Sequence, residues 1–541
     1  GRPQFDSEGI ALSLAPEDPQ LRSAAALMRI SQGKAEQGYA ELAAVAAADP
    51  GVVGDLALIG AATSRRDYAR ALGAVDRLQQ KLANDPSVPA LRGRILLEQG
   101  SQAAAKAQFE RALAMDPKYF PAAEALALLS IGAGQPAEAQ KRFTQLLQAD
   151  PSNVPALLAL AQIRAAAKAP TDEVVGILNR AGSASPLDPR PRVQLIQFLL
   201  QAGQAKRALA AAQEAAALLP EDLDVLDGLG AAQLASHELQ QAKSTFAQLA
   251  SLAPKSELPH LRLSDVYLND GQEAEALKAL NRALEIRPDS RLAQAKLISL
   301  HVRARRWDEA IAVARSMQKA EPDDAAGWVA EGEIEVKRQR EDAAIAAFKT
   351  GVTKKQPYPA PARYFLALTS ADKASQASAF ADGWLAAHPQ DSRFAKYAAE
   401  IEILRSDLEA AERHLLVASR INPRDGQTLN NLAWVLVRRG NSQGLAYAQR
   451  AVEVQPEKPD YLDTLAGALL AANDPKAAVE AAQKAQRLGP DNLTYTLTLA
   501  KAYWRSGQAD QARSELAKLQ KAGAKSAHRG EVDRLAAEWG K

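Results

Sequence analysis

Residues 263–288 read LSDVYLNDGQEAEALKALNRALEIRP, and the placing of small and large residues in this stretch decides the fold. Apolar residues recur at spacings of three and four on either side of Gly271, the period of a helix with one buried face. Pro288 closes the second run, because proline cannot donate to a helical ladder and biases the residue before it away from helical dihedrals. The stretch therefore reads as a helix, a tight turn at the glycine and a second helix.

The same offsets recur along the chain. Pro186, Pro220, Pro254, Pro288 and Pro322 are thirty-four residues apart, and the same step joins Pro16 to Pro50, Pro117 to Pro151, Pro389 to Pro423 and Pro456 to Pro490. Twelve residues before its proline each unit carries alanine: Ala105, Ala139, Ala208, Ala242, Ala276, Ala310, Ala377, Ala411 and Ala478. Gly100, Gly134, Gly203 and Gly271 lie seventeen before it, and Phe109, Phe143, Phe246, Leu280 and Leu415 eight before it. A fixed period of this length marks a stack of helical hairpins, each of which buries its apolar face only against its neighbours. The alanines mark places where helix axes approach closely, since a larger side chain there forces displacement worth roughly 1–3 kcal/mol. After the prolines, Asp289 and Ser290, Asp323 and Asp324, Asp425, and Asp491 with Asn492 stand where a helix cap accepts free backbone N–H groups.

Composition supports one material throughout. The 541 residues include 66 basic and 64 acidic ones, for a net charge of +2, which points to neither a nucleic acid nor an anionic membrane as partner. There is no cysteine, which excludes thiol catalysis, cysteine–zinc sites and disulfides together. No apolar run approaches the roughly 18 residues of a membrane-spanning helix. The chain starts at Gly1 without methionine, in GRPQFDSEGIALSLAP, which is similar to the second half of a unit. It therefore reads as a portion of a longer protein.

The cadence resembles the tetratricopeptide repeat (TPR), a helix-turn-helix unit of the same length with small residues, a mid-unit glycine turn and a late proline. The likeness covers almost the whole chain. It is strongest over 187–322 and 390–519, where LNNLAWVLVRRGN, YLDTLAGALLAANDPKAAVEAAQKAQRLGP and LAKAYWRSGQADQARSEL occur, and weaker around 84–89, 165–190 and 351–361. It implies an all-α solenoid, a right-handed superhelix of about fourteen hairpins after a partial N-terminal one. The order of LNNLAW, LDTLAG and LAKAYWRSGQADQAR, followed by a short tail helix, also looks like the C-terminal part of the TPR lipoproteins of PEP-CTERM/exosortase systems. That likeness implies a periplasmic, lipid-anchored protein of an exopolysaccharide-linked apparatus; a cytoplasmic one is the alternative.

Along the chain, 1–350 reads as an N-terminal array, 351–361 (GVTKKQPYPAP) as a proline-rich junction, 362–526 as a C-terminal array and 527–541 as a capping helix. A lengthened loop in an unbroken stack is the other reading of the junction, and SPLDPRP at 185–191 is a second candidate boundary.

No constellation of catalytic or metal-ligating residues stands out. His237, His260, His301, His388, His414 and His528 form no HExxH motif and read as core or surface residues. GLGAAQ at 228–233 follows no strand, so it fits a tight-packing position and not a dinucleotide loop. The carboxylates of EPDDAA (321–326) and EGEIEVKRQRED (331–342) suit a helix start and a solvated face. Neither an enzyme nor a cofactor is expected.

Binding residues are sought on the face of the first helix turned away from its partner. In LNNLAWVLVRRG the core stripe is Leu429, Leu432, Ala433 and Leu436, which leaves Asn430, Trp434 and Arg438, four apart, on another face. With Asn431, and with Asp463, Lys501 and Trp504 of the next two units, they sketch a groove with two aromatic walls, amides, an acid and a cation. It suits a peptide strand or a sugar polymer. The TPR clamp for chaperone C-termini is matched at Asn431, but the next unit carries Asp460 and Asp463 in place of cations, so that adaptor role is disfavoured. A second patch stacks Arg303 on Lys337 and Arg306 on Arg340, one period apart, as a basic ridge for an acidic polysaccharide or protein. Trp307, Trp328 and Trp384 read as structural. The expected function is a scaffold for protein partners of an envelope or polysaccharide-export complex. The alternatives are a solenoid that binds a glycan chain directly and a regulatory region of an enzyme whose catalytic domain lies elsewhere.

Overall fold

The computed structural model describes residues 17–521 and 528–540. Among the described residues the chain forms thirty-one α-helices and no β-strand. They fall into two compact units, residues 1–286 and 287–541. The first carries α1 (Pro19–Ser31) to α16 (Glu273–Ile286), eight hairpins; the second carries α17 (Arg291–Arg303) to α31 (Arg529–Trp539), seven hairpins and a final helix. The fifteen complete hairpins fit the expectation of about fourteen; units whose proline drifts off the ladder, such as Val53–Ser64 with Tyr68–Lys81, are complete all the same. The partial repeat expected over 1–16 lies outside the described residues.

Within each unit, every first helix packs against its own second helix and against the second helix before it. The alanines twelve before the prolines sit at these crossings, and all nine are at most 1% exposed. The aromatic or leucine eight before the proline fills the space beside them: Phe109, Phe143, Phe246, Leu280 and Leu415 are all buried. Gly93, Gly230 and Gly332 face Phe109, Phe246 and Phe348, and a Cβ at Gly230 would lie 2.4 Å from the Phe246 ring. This is the tight packing read from GLGAAQ.

Each hairpin turn contains one residue in the left-handed region. In seven it is glycine, including Gly100, Gly134, Gly203 and Gly271, with φ between 69° and 88°. In the other eight the position is held by Arg66, Lys168, His237, Arg305, Gln339, Asp372, Ser406 and Asn473. A side chain at that conformation costs about 1–2 kcal/mol, so the turn geometry is imposed by packing of the two helices and not by the residue alone.

Ser290 and Asn492 cap their helices, accepting from the N–H of Ala293 (3.3 Å) and Thr494 (2.9 Å); Asp324, one residue before the cap position Ala325, accepts from Ala326 N–H at 2.6 Å. Asp425 makes no cap bond to the backbone. Its carboxylate instead accepts from Lys396 Nζ at 2.6 Å and Thr428 Oγ1 at 2.9 Å, tying it to the hairpin before. The segment 351–361 connects α20 (Glu341–Val352) to α21 (Ala360–Ser370). Gln356 accepts from Ala325 N–H and donates to Asp323 O, both at 3.0 Å. Ala325, Val329, Phe348 and Ala360 form one buried cluster across it. Trp384 is buried, with Nε1 donating to Asp391 at 2.9 Å, while Trp307 and Trp328 are half-buried. No helix of the described residues is long and apolar enough to cross a membrane.

Candidate functional site

The first helices of consecutive hairpins, α23 (Ser392–Leu404) and α25 (Gly426–Arg438), enclose a cleft of about 410 Å³. The register of α25 fixes what faces it. Leu429, Leu432, Ala433 and Leu436 are all buried, which leaves Gln427, Asn430, Asn431 and Trp434 to line the cleft opposite Glu400, Ile403 and Leu404. Asn430 is only 9% exposed, and its Oδ1 is buried without a hydrogen-bond partner. Gln427 Nε2 donates to Asn431 Oδ1 at 2.9 Å. The Arg438 guanidinium stands 4.8 Å from the centroid of the half-buried Trp434 ring. Leu404, at the end of α23, is 80% exposed. An unsatisfied buried amide is unfavourable by about 1–3 kcal/mol, and an exposed leucine beside an aromatic ring adds a local apolar surface, so the cleft offers both hydrogen bonding and burial to a ligand.

The rest of the sequence-drawn groove is arranged differently. Asp463 has one carboxylate oxygen buried without a partner; burial pushes its carboxyl up, opposed in part by the Thr498 hydroxyl. Lys501 pairs with Glu531 at 2.7 Å. Trp504 stacks on Trp539 with ring centroids 4.7 Å apart and planes 12° from parallel. Trp504 is half-buried with one ring face taken by Trp539, and Lys501 is engaged. The physical reason is the helix that follows: Val532, Leu535 and Trp539 of α31 pack on Leu497, Ala500 and Leu516 of the hairpin before it. Asn430, Asn431, Trp434 and Arg438 remain together.

On the ridge, Arg303, Lys337 and Arg340 are exposed, and among the described residues none of the three has an ion-pair partner. Arg306 is half-buried and already engaged by a neighbour, so the ridge presents three cations and not four. Lys337 also lines a cleft of about 780 Å³ with Ile298, Val302, Ala330, Ile334 and Leu366. The first unit has a comparable cleft of about 830 Å³, with Leu56, Leu91, Arg94 and Leu128 in its wall. Sequence reasoning missed both. The only signal was the apolar residues outside the core stripe, such as Leu56, Leu128 and Val336, all exposed.

His414 is more than a core histidine. It is 1% exposed, and its Nδ1 and Nε2 lie 2.8 Å from Glu402 Oε2 and 3.1 Å from Asp382 Oδ1. With both ring nitrogens held by carboxylates, the imidazole has no lone pair to offer as a general base. Among the described residues no group of three or more His, Cys, Asp or Glu side chains is arranged to hold a metal ion.

Comparison with known proteins follows the same lines. Tetratricopeptide-repeat family models match residues 90–119, 130–192, 233–297, 267–334, 430–492 and 469–535. The TPR repeat-containing thioredoxin TTL4 of Arabidopsis thaliana is 33% identical over 93 residues, 17% of this chain and 14% of that protein. The chain thus spans a small part of that relative's length. Among solved structures, YrrB, described as a TPR protein with an unusual peptide-binding site, is 21% identical. The match covers 35% of this chain and 96% of that one, with a TM-score of 0.28. The structure of Naa15/Naa10 bound to HypK-THB matches at 15% identity over 85% of this chain and 66% of that one, with a TM-score of 0.33.

Proposed function

We propose, from the premise that this chain is an array of tetratricopeptide repeats, that it is a non-catalytic scaffold holding a protein partner on the first-helix face of its hairpins. The observation that carries this reading is the cleft at Trp434, where a buried amide oxygen without a partner, Asn430 Oδ1, adjoins apolar surface open to solvent. A polypeptide segment suits that chemistry. Its backbone brings both a donor and an acceptor to the Asn430 amide, and a large apolar side chain covers Leu404 against the Trp434 ring.

The reading is tested with peptides selected by display on the full chain. Trp434→Ala is expected to weaken them at least tenfold, about 1.4 kcal/mol or more, with helix content unchanged by circular dichroism. Unchanged affinity contradicts the site. A glycan chain is the second reading, favoured by Arg438 over Trp434 and by the exposed Arg303, Lys337 and Arg340. It loses support from Trp504, one face of which is taken by Trp539, and displacement of the peptides by acidic oligosaccharides would favour it. A regulatory role toward an enzyme requires a catalytic domain outside these residues.

The setting we infer is the periplasmic side of a Gram-negative envelope, within an exopolysaccharide secretion or protein-sorting apparatus, with a lipid anchor. It rests on the succession LNNLAW, LDTLAG and LAKAYWRSGQADQAR. Fractionation of producing cells is expected to place the protein in the envelope with covalently bound fatty acid; recovery only from the cytoplasm contradicts this setting.

A further inference from the structure

The Asp382–His414–Glu402 cluster, with His414 and Glu402 buried, is a polar group that partner binding leaves unused. Asp382 comes from α22 (Ala374–Ala387), Glu402 from α23, and His414 from α24 (Leu408–Ile421). The cluster therefore joins one hairpin internally and fastens it to the hairpin before. A carboxylate only accepts, whereas a neutral imidazole carries one N–H. Two hydrogen bonds at 2.8 and 3.1 Å therefore need two protons, one on each, whether the second is held by the ring or by Glu402.

Removing one proton sets lone pair against lone pair at one of the two contacts. Glu402 is buried and its Oε1 already lacks a hydrogen-bond partner, so the neutral ring keeps its one proton on Nδ1, in the contact with Glu402. Asp382 is half-exposed and can turn to water, so the bond between hairpins is the one that breaks. Arg413 also reaches α22 and keeps its charge throughout, so loss of the proton loosens this junction without undoing it. On its own helix, Arg413 lies 3.4 Å from Asp382, 3.1 Å from Ser378 Oγ and 3.8 Å from Glu409, and Asp407 caps the start. On the other side α25 packs Leu432, Val435 and Leu436 against α24, and Arg439 pairs with Glu412 at 3.1 Å.

A proton is not what the repeat requires at this place. Gln233 and Thr245 occupy the same two positions of an earlier hairpin and make a neutral, buried bond at 2.8 Å. The titratable version is thus a local property of the hairpin whose first helix, α23, supplies Glu400, Ile403 and Leu404 to the Trp434 cleft.

We propose that Asp382, His414 and Glu402 form a proton-operated latch: loss of the second proton weakens the hold of the α23–α24 hairpin on α22 and shifts the α23 wall of the cleft, so ligand affinity falls as pH rises. The effect on affinity rests on the cleft being the binding site; the latch does not. Burial pushes the His414 imidazole down, but Glu402 and Asp382 outweigh it and hold the group above its ordinary value. The sign follows from a raised folded-state value. The stabilisation is complete below the unfolded value near pH ~6.5 and is lost as pH rises through the higher folded one.

Hydrogen exchange of the full chain without ligand, corrected for intrinsic rates, tests the latch. Between about pH 6 and about pH 9, exchange over 374–387 and 392–421 is expected to rise roughly tenfold relative to 239–252. The double variant Glu402→Gln/His414→Thr installs the neutral pair found at 233 and 245, and is expected to fold and show no such step. A step of equal size in that variant, or none in the wild type, overturns the latch. Because the chain has no cysteine, a bimane placed on Leu404→Cys reports on the cleft through quenching by Trp434. Its fluorescence is expected to rise with pH only where the latch is intact. A normal exchange step with a silent bimane overturns the link to the cleft. Absence of any ligand at Trp434 overturns the binding site and leaves the latch standing.

Discussion

Replacing Lys81 with alanine is expected to lower the stability of the first unit by about 3–5 kcal/mol, because it leaves a buried charge without its main partner. Asp55 is fully buried, and its Oδ2 accepts from Lys81 Nζ at 2.6 Å. The same ammonium also lies within hydrogen-bond distance of the carbonyls of Ala46 (2.7 Å), Asp49 (2.7 Å) and Gly51 (2.9 Å), its three N–H groups shared among four acceptors, so one cation closes the end of one hairpin against the next. The remaining cation, Arg77, lies 3.6 Å from Oδ1 without a hydrogen bond to it. Removing both charges with Asp55→Ala/Lys81→Met is expected to recover most of the loss, since a buried pair is often no more stable than apolar residues of similar volume. Urea unfolding followed by exchange over 35–81 measures both. A Lys81→Ala variant within about 1 kcal/mol of wild type would show that Asp55 is relieved by water or by Arg77.

The second large effect is expected at Phe246. Its ring is fully buried and occupies the place a side chain at position 230 would take. Phe246→Ala leaves a cavity that neighbouring helices cannot close, for a loss of about 3–5 kcal/mol. Gly230→Val forces the ring aside, for about 1–3 kcal/mol. The two together are expected to lose less than the sum, because the new side chain enters the space the ring leaves. Strict additivity in a double-mutant cycle would mean that the two residues do not share that space.

The hairpins were legible because three kinds of residue are each constrained by one cause at one offset. Proline ends a helix, alanine permits a close crossing and glycine adopts the left-handed turn. The same turn at His237, Arg305 and Ser406 was visible only as a position in the register, since no residue type announces it. Within the candidate site, Asn430, Asn431 and Trp434 could be placed because the buried stripe of one helix fixes the opposite face. Trp504 could not, as what stacks on it is Trp539, thirty-five residues later in the next helical element. The His414 cluster escaped for a related reason. Its partners lie twelve and thirty-two residues away, spacings with meaning only once hairpins are stacked. The large clefts escaped because apolar residues beyond the core stripe resemble ordinary helix surface.

The most direct measurement is a map of where a bound polypeptide protects the chain. With a display-selected peptide at saturation, deuterium uptake is predicted to fall over 392–404 and 426–438, the two first helices that wall the Trp434 cleft, and to stay unchanged over 408–421 and 444–454. Protection confined to those second helices would contradict a scaffold that binds through its first-helix face.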